Sequence, residues 1–467
     1  MKIKTVRSSW WEGYGYRLDC QPYLAGALET KLILERLPIR KDKLETVTMN
    51  GLAGIVNPGR TKRLWVDDPH FGIPFLSGTD ILKADLTRLP FISKRSVIEN
   101  PQLIIRSRWT LITRSGNIGK LAYARAEMDQ LACTEDVLRI IPDDMIIPSG
   151  YLYAYLSSTF GIPLVVSGTY GAIIQHIEPE HIAQLPVPRL APNVENRIHV
   201  LVEQAALKRT EANVAKRFAI SGFQQQSGLP NPKTDSKYPQ PFVSAVNVYD
   251  LTDRMDASYH SPPNIDARLA LSNAGAEVGT KRLGEVAKVF IPGIFKRQYA
   301  DDPEFGYPYV TGADVFTITP SSNQYLLKSV AEENELVLTN GMILIHEAGQ
   351  LYGLIGHSVM VGEYLDGFAC TNNMVRVVPY DQDDWGFIFA LLSSEFGIRL
   401  LKREGAGSSI PHLDEGRIQR LEIPWPKPSV RTSISKIAVE SINLLDEANR
   451  LEAQAQALLI SEIERLS

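Results

Sequence analysis

The sequence predicts an α+β protein built as a tandem duplication: two homologous α+β domains, each followed by a long helix. Three features predict it. The stretch "PGRTKRLWVDDPHFGIPFLSGTDIL" from Pro58 returns as "PGIFKRQYADDPEFGYPYVTGADVF" from Pro292, with 12 of 25 residues identical at an offset of 234. Short β-type runs bounded by Gly, Pro, Asn or Asp occur in both copies, and a helical pattern closes each copy. At 467 residues the chain exceeds the ~250 to 300 residues at which single cores stop growing, so each copy is expected to bury its own.

The first domain is expected over 1–190. Strands are expected in "GIPFLSG", "TLITRSG" and "DVLRIIP", and the apolar spacing of "GYLYAYLSSTFGIPLVV" from Gly150 predicts one short helix. Pro-rich "LPVPRLAPN" then leads into a first long helix over 191–220, where Ile198, Ala205 and Ala212 recur every seven residues with Leu201 beside them. The segment 221–242, "SGFQQQSGLPNPKTDSKYPQP" and the Phe after it, has a linker composition. The second domain, 243–428, repeats the plan with "YPYVTG", "ELVLTNG" and "NMVRVVP". Its echoes of the first copy include "CTNNMVRVVPYD" from Cys370 for "CTEDVLRIIPDD" from Cys133, and "HLDEGRIQRLEIPWP" from His412 for "HIEPEHIAQLPVPRL" from His176. The second long helix, 429–467, carries Ile437, Leu444, Leu451 and Leu458 every seven residues, with Ala448 and Ala455 between them. Two heptad seams containing small residues predict helices that approach closely and pair as an antiparallel coiled coil.

Composition narrows the function. A net charge of −4 restricts any nucleic-acid binding to local basic patches. No apolar run reaches the ~18 residues of a membrane span, and no apolar stretch follows the basic N-terminus, so a cytoplasmic protein is expected. Cys20, Cys133 and Cys370 are an odd, widely spaced set without a CxxC pair, which points to reduced thiols and no zinc site. "GNIGKL" lacks the first Gly of a phosphate-binding loop and any Ser or Thr after Lys120. "HSPPN" at His260 reads as a proline turn, and "HEAGQ" at His346 lacks the second His of a zinc protease. No active site, cofactor or metal is expected.

The order of these motifs resembles that of the specificity (S) subunits of Type I restriction-modification systems. The resemblance rests on "GIPFLSGTDI", "TLITRSGNIGKLA", "GYLYAYLSS" and "LPVPRL" leading into a helix, on their duplication, and on nearly the whole chain. It implies two tandem target-recognition domains reading a bipartite site in double-stranded DNA. It further implies long helices that dock two DNA methyltransferase subunits, with restriction subunits joining through the complex. The second copy departs at "LIHEAGQLYG", where Gly349, Gln350 and Leu351 replace Gly116, Asn117 and Ile118 and the equivalent of Lys120 is lost.

Candidate DNA contacts follow from residue chemistry, because Arg forks onto guanine, Lys and Arg pair with phosphates, and planar rings pack on bases. They are Arg60, Lys62 and Arg63 beside Trp65, and Phe295, Lys296 and Arg297 beside Tyr299. The glycine loop "TRSGNIGK" adds Arg114, Asn117 and Lys120, with Gln350 at the matching place in the second copy. The polar loops "SGTYGAII" and "EGAGSSI" add Tyr170, Ser408 and Ser409. A solvated hairpin is the plainer reading of any single basic pair and explains the glycine loop about as well, while the recurrence of Lys-Arg at the same place in both copies points toward function. Asp80 and Asp314 are expected to cap turns. Asp67, Asp68, Asp301 and Asp302 are the only support for an alternative, a diverged nuclease or methyltransferase with its own centre; a two-headed protein-binding scaffold is a third reading.

Overall fold

The computed structural model describes Thr5 and residues 26–167, 176–233, 241–243, 245–251, 254–407 and 409–467. The chain forms two compact units, one of Met1–Thr210 with Glu447–Ser467, the other of Glu211–Asp446.

Among the described residues ten strands order the first unit: β1 Lys41–Lys43, β2 Ile55–Val56, β3 Trp65–Val66, β4 Gly72–Leu76, β5 Phe91–Ser93, β6 Thr110–Thr113, β7 Leu121–Tyr123, β8 Ala132–Cys133, β9 Val137–Ile140 and β10 Pro186–Pro188. They make an antiparallel sheet β2-β9-β6-β7, a mixed sheet β3-β5-β4-β8 and a two-stranded pair β1-β10. In the mixed sheet β4 runs parallel to β8, pairing Leu76 with Cys133. The second unit repeats the list: β11 Thr280–Arg282, β12 Ala287–Phe290, β13 Tyr299–Ala300, β14 Gly306–Val310, β15 Tyr325–Leu327, β16 Ile343–His346, β17 Ser358–Met360, β18 Ala369–Cys370, β19 Met374–Pro379 and β20 Glu422–Pro424. Its sheets are β12-β19-β16-β17, β13-β15-β14-β18 and β11-β20, again with one parallel pair, β14 with β18. Both units thus have mixed helix and sheet content on one shared strand plan.

The central strands are buried on both faces, as in "TLIT" of β6, which is why they read as apolar runs without alternation. Each unit also buries one arginine at a repeated position in this sheet. Arg139 of β9 donates to the carbonyls of Cys133 (2.6 Å) and Thr134 (2.9 Å) and also to that of Val137. Arg376 of β19 donates to those of Met374 (2.9 Å), Cys370 (3.0 Å) and Thr371 (3.2 Å). Burial pushes both guanidinium pKa values down, and the carbonyls supply the polar partners a buried cation requires. The consequence is a fixed turn after β8 and after β18.

Several expectations are corrected. "ELVLTNG" makes a single bridge, Val337 to Ala369; its Leu336 and Leu338 are buried as loop anchors, and the strand that answers β6 is β16. The helix expected at Gly150 is two, Ser149–Leu156 and Gly161–Ser167, broken where the Ser158 hydroxyl accepts from the backbone N–H groups of Phe160 and Gly161. "HSPPN" does not end in a turn: Ser261 is an N-cap and Pro262 opens the helix Pro262–Val278, since proline at the first helical position loses no hydrogen bond. The first long helix runs Pro192–Gln226, past the expected end at 220 and into the presumed linker, because Phe223 is fully buried against Phe387 and holds the last turns down. The second long helix runs Pro428–Leu466.

The buried stripe of the first long helix includes Ile198, Val202, Ala205, Arg209 and Ala212 at alternating steps of four and three, and continues at Ala219 and Phe223. Ile198, Ala205 and Ala212 stand where the seam was expected, while Leu201 is half-buried at its flank. On the second long helix the buried stripe includes Ile434, Ala438, Ser441, Ala448, Glu452, Ala455 and Leu459. Ala448 and Ala455 lie in it, but Ile437, Leu444, Leu451 and Leu458 flank it, half-buried. In the middle of the second helix small and polar residues, Ser441, Ala448 and Glu452, take buried positions, so Leu444 and Leu451 stand at its rim.

Candidate nucleic-acid interface

In the first unit the turn fixed by Arg139 organises the basic loops. Arg63 donates from Nη2 to Thr134 Oγ1 (2.9 Å) and Glu135 Oε2 (2.9 Å), and its guanidinium lies 5.3 Å from the centre of the Phe75 ring. Asp136 stands 3.9 Å from the same nitrogen and accepts from Ser115 Oγ at 2.7 Å. Residues 134–136 therefore join the loop before β3 to the glycine loop between β6 and β7. Asn100 secures the first loop, donating to the Pro58 carbonyl (2.7 Å) and the Thr61 hydroxyl (2.8 Å). Arg60 and Lys62 extend from it into solvent, as do Asn117 and Lys120 from the second loop. Gly116 at φ 70° and Gly119 at φ 77° give that loop a backbone that L side chains rarely adopt.

Arg114 is not available to a ligand in this way. It donates to the Ile177 carbonyl at 3.1 Å and pairs with Glu178, which also accepts from Asn57 at 3.1 Å, so its charge closes the base of the loop. The second unit has a different pair here. Glu347 occupies the repeat position of Arg114, and it meets His412 Nδ1 at 2.7 Å. Gln350 beside it donates to the Ser409 carbonyl at 3.0 Å, joining two loops that the sequence keeps 59 residues apart. Gln350 and Ser409 are exposed. Tyr170 and Ser408 lie outside the described residues.

The loop before β13 presents Lys296 and Arg297 to solvent, while Phe295 is half-buried against the mixed sheet. Arg297 donates from Nε to the Tyr309 hydroxyl at 3.2 Å, a hydrogen bond that holds its pKa above the usual arginine value.

Sequence reasoning missed a pair of displayed rings. Phe71 is 60% exposed and Phe305 62% exposed at the same repeat position, next to exposed Trp65 and Tyr299. The signal was present, since an aromatic residue retained in both copies of a "DDP-x-FG" turn has no core to fill. Asp68 and Asp302 cap those turns through backbone N–H groups of His70 (2.8 Å) and Glu304 (2.9 Å). Asp80 accepts from the Ser77 backbone N–H at 2.9 Å and Asp314 from that of Thr311 at 2.8 Å. Burial opposes the charge of Asp80, but Lys83 and Ser77 outweigh it and hold the carboxyl below its usual pKa. Cys133 and Cys370 are fully buried core thiols, pushed up to about 11 by burial. Among the described residues no cluster of His, Cys, Asp and Glu is placed to hold a metal ion, and no helix is long and apolar enough to cross a membrane.

Residues 276–458 match the family described as "Type I restriction modification DNA specificity domain". The first unit repeats the three sheets of the second in the same strand order. Among solved structures the chain is similar to the S subunit of a Type I restriction-modification system from M. genitalium, at 11% identity and TM-score 0.40 over 92% of this chain and 96% of that chain. It is similar also to the HsdS subunit from Thermoanaerobacter tengcongensis, at 14% identity and TM-score 0.27 over 91% of this chain and 97% of that one. A third similar structure concerns complex assembly and conformational transition of the type I R-M system, at 14% identity and TM-score 0.28 over 92% and 97% of the two chains. No curated protein matches the chain.

Proposed function

We propose that this chain reads a bipartite double-stranded DNA site for a Type I restriction-modification complex and carries out no chemistry itself. The observation that carries this reading is the repetition of one strand plan in two units, one of them matching a specificity domain. One small domain discriminates only a few base pairs, at ~1 to 3 kcal/mol each, so two copies suit a split site. In the first unit Arg60, Lys62, Asn117 and Lys120 are the exposed polar contacts beside Trp65 and Phe71; in the second they are Lys296, Arg297, Gln350 and Ser409 beside Tyr299 and Phe305. Phosphate contacts from the cations position the duplex, and the amides and rings read or pack on bases.

The long helices pair antiparallel in this proposal. Within the first unit Lys208 meets Glu447 at 3.1 Å and Arg209 meets Asn449 at 3.1 Å, while Ile198 shares a core with Leu459 and Ile463, so residue numbers fall along one helix as they rise along the other. The outer faces of these helices dock two methyltransferase subunits, through which restriction subunits join, in the cytoplasm. Co-expression with a methyltransferase subunit, followed by sequencing of methylated positions, tests the reading. Two short constant blocks separated by a spacer of fixed length and free sequence are expected. A single contiguous motif, or methyl transfer or metal-dependent cleavage by the chain alone, would refute it.

A further inference from the structure

The two copies keep one arginine in different electrostatic states. In the first unit Arg63 is neutralised: Glu135 lies at 2.9 Å and Asp136 at 3.9 Å, on the turn that Arg139 fixes. In the second unit the same turn, fixed by Arg376, reads Thr371, Asn372, Asn373, so both carboxylates are replaced by neutral amides. The supporting ring changes with them. Phe75 beneath Arg63 becomes Tyr309, whose hydroxyl takes the Nε hydrogen bond of Arg297 at 3.2 Å. That bond orients the guanidinium over the ring, 5.9 Å from its centre, and engages one of its five N–H donors. Among the described residues no carboxylate pairs with Arg297, and the side chain is exposed.

We infer that Arg297 contacts a DNA phosphate in the second half-site whereas Arg63 is withheld from DNA by its own domain, so that the turns 134–136 and 371–373 set how strongly each half grips the duplex backbone. A phosphate approaching Arg63 would have to displace a charge-assisted bond and would meet two carboxylates at the same place. One approaching Arg297 meets a pre-oriented fork and no acid. Counting Arg60, Lys62 and Arg63 against Glu135 and Asp136 leaves one net positive charge at the first loop; Lys296 and Arg297 leave two at the second. The inference rests on the proposed reading of DNA by both units.

The copies themselves supply the test, because each turn can be given the other's residues. The full chain with its methyltransferase subunits is titrated, over a range of salt, with a labelled duplex bearing the mapped methylation site. Each phosphate contact contributes about 0.9 to the slope of log affinity against log salt. Arg297→Gln is expected to lower the slope by about that amount, and Asn372→Glu with Asn373→Asp to lower it likewise by capturing Arg297. Glu135→Asn with Asp136→Asn is expected to raise the slope by releasing Arg63, and Arg63→Gln to leave it unmoved. Thermal unfolding of each variant identifies any that fail to fold, and the two turn exchanges keep the test decisive if Arg63→Gln is among them. Equal effects of Arg63→Gln and Arg297→Gln, or turn exchanges that leave the slope unchanged, overturn the inference while DNA reading stands. A parent complex that binds the mapped duplex no better than an unrelated one overturns DNA reading and the inference together.

Discussion

Glu452→Ala removes the carboxylate at the centre of a buried network in the first unit. Glu452 pairs with Arg209 of the first long helix and accepts from the Tyr153 hydroxyl, while Arg209 also donates to Asn449 at 3.1 Å. The side chains of Arg209 and Glu452 are 5% and 12% exposed, so solvent screens the pair little. Removing one partner of a buried ion pair costs about 3 to 5 kcal/mol, because the remaining charge has lost its compensation. For a domain of roughly 150 to 250 residues each kcal/mol moves the midpoint by ~2 to 4 °C, so a fall on the order of 10 °C is expected for the first unit. Differential scanning calorimetry should show that unit melting early while the second unit keeps its transition. The double variant Arg209→Leu, Glu452→Leu should recover most of the loss, since apolar replacement of a buried pair is often near neutral. Leu445 already stands at the repeat position of Arg209. A loss below about 1 kcal/mol for Glu452→Ala, or a double variant as damaged as the sum of the singles, would refute a pair of this strength.

Arg376→Met leaves the carbonyls of Cys370, Thr371 and Met374 without their donor, and at ~1 to 3 kcal/mol per orphaned group the unfolding free energy from urea titration should fall by several kcal/mol. Gly386→Ala would set a Cβ 2.8 Å from Ser435 Cα and 2.9 Å from Ala438 Cβ, so a destabilisation of ~1 to 3 kcal/mol is expected in thermal melts of the second unit. Burial holds the Cys133 and Cys370 thiols neutral, raising each from 9.0 to about 11. Their contribution to stability is therefore complete below pH 9.0 and lost as pH rises towards about 11, where the unfolded chain ionises first. A Cys133→Ala, Cys370→Ala variant should show a flatter alkaline limb in its stability profile, and both native thiols should resist alkylation at neutral pH.

Duplication made the plan legible, because a repeated turn such as "DDP-x-FG" fixes where each copy begins and its strands follow from the turn residues around them. Legibility failed where packing, not local pattern, decides. Leu336 and Leu338 alternate like a strand yet anchor a loop, and in the second long helix the period was readable while the buried line within it was not. Hydrophobicity selects Leu444 and Leu451, but the buried line passes through Ser441, Ala448 and Glu452, whose burial depends on a neighbour far away in sequence. The candidate site failed in the same way. Arg63 and Arg114 read as free cations because their acids, Glu135 and Glu178, lie 72 and 64 residues on. Phe71 and Phe305 read as ordinary apolar residues within either copy alone, and only their recurrence in the same turn marks them.

The first unit takes residues 447–467 into its core, with Ala455, Leu459 and Ile463 fully buried among side chains of the first domain. On the ribosome these are made after every residue of the second unit. The second unit has all its residues once Asp446 has emerged, whereas the first must wait with an uncovered apolar surface until synthesis has passed through its neighbour. A premature stop at Glu447 therefore injures the half of the protein made first and spares the half just completed.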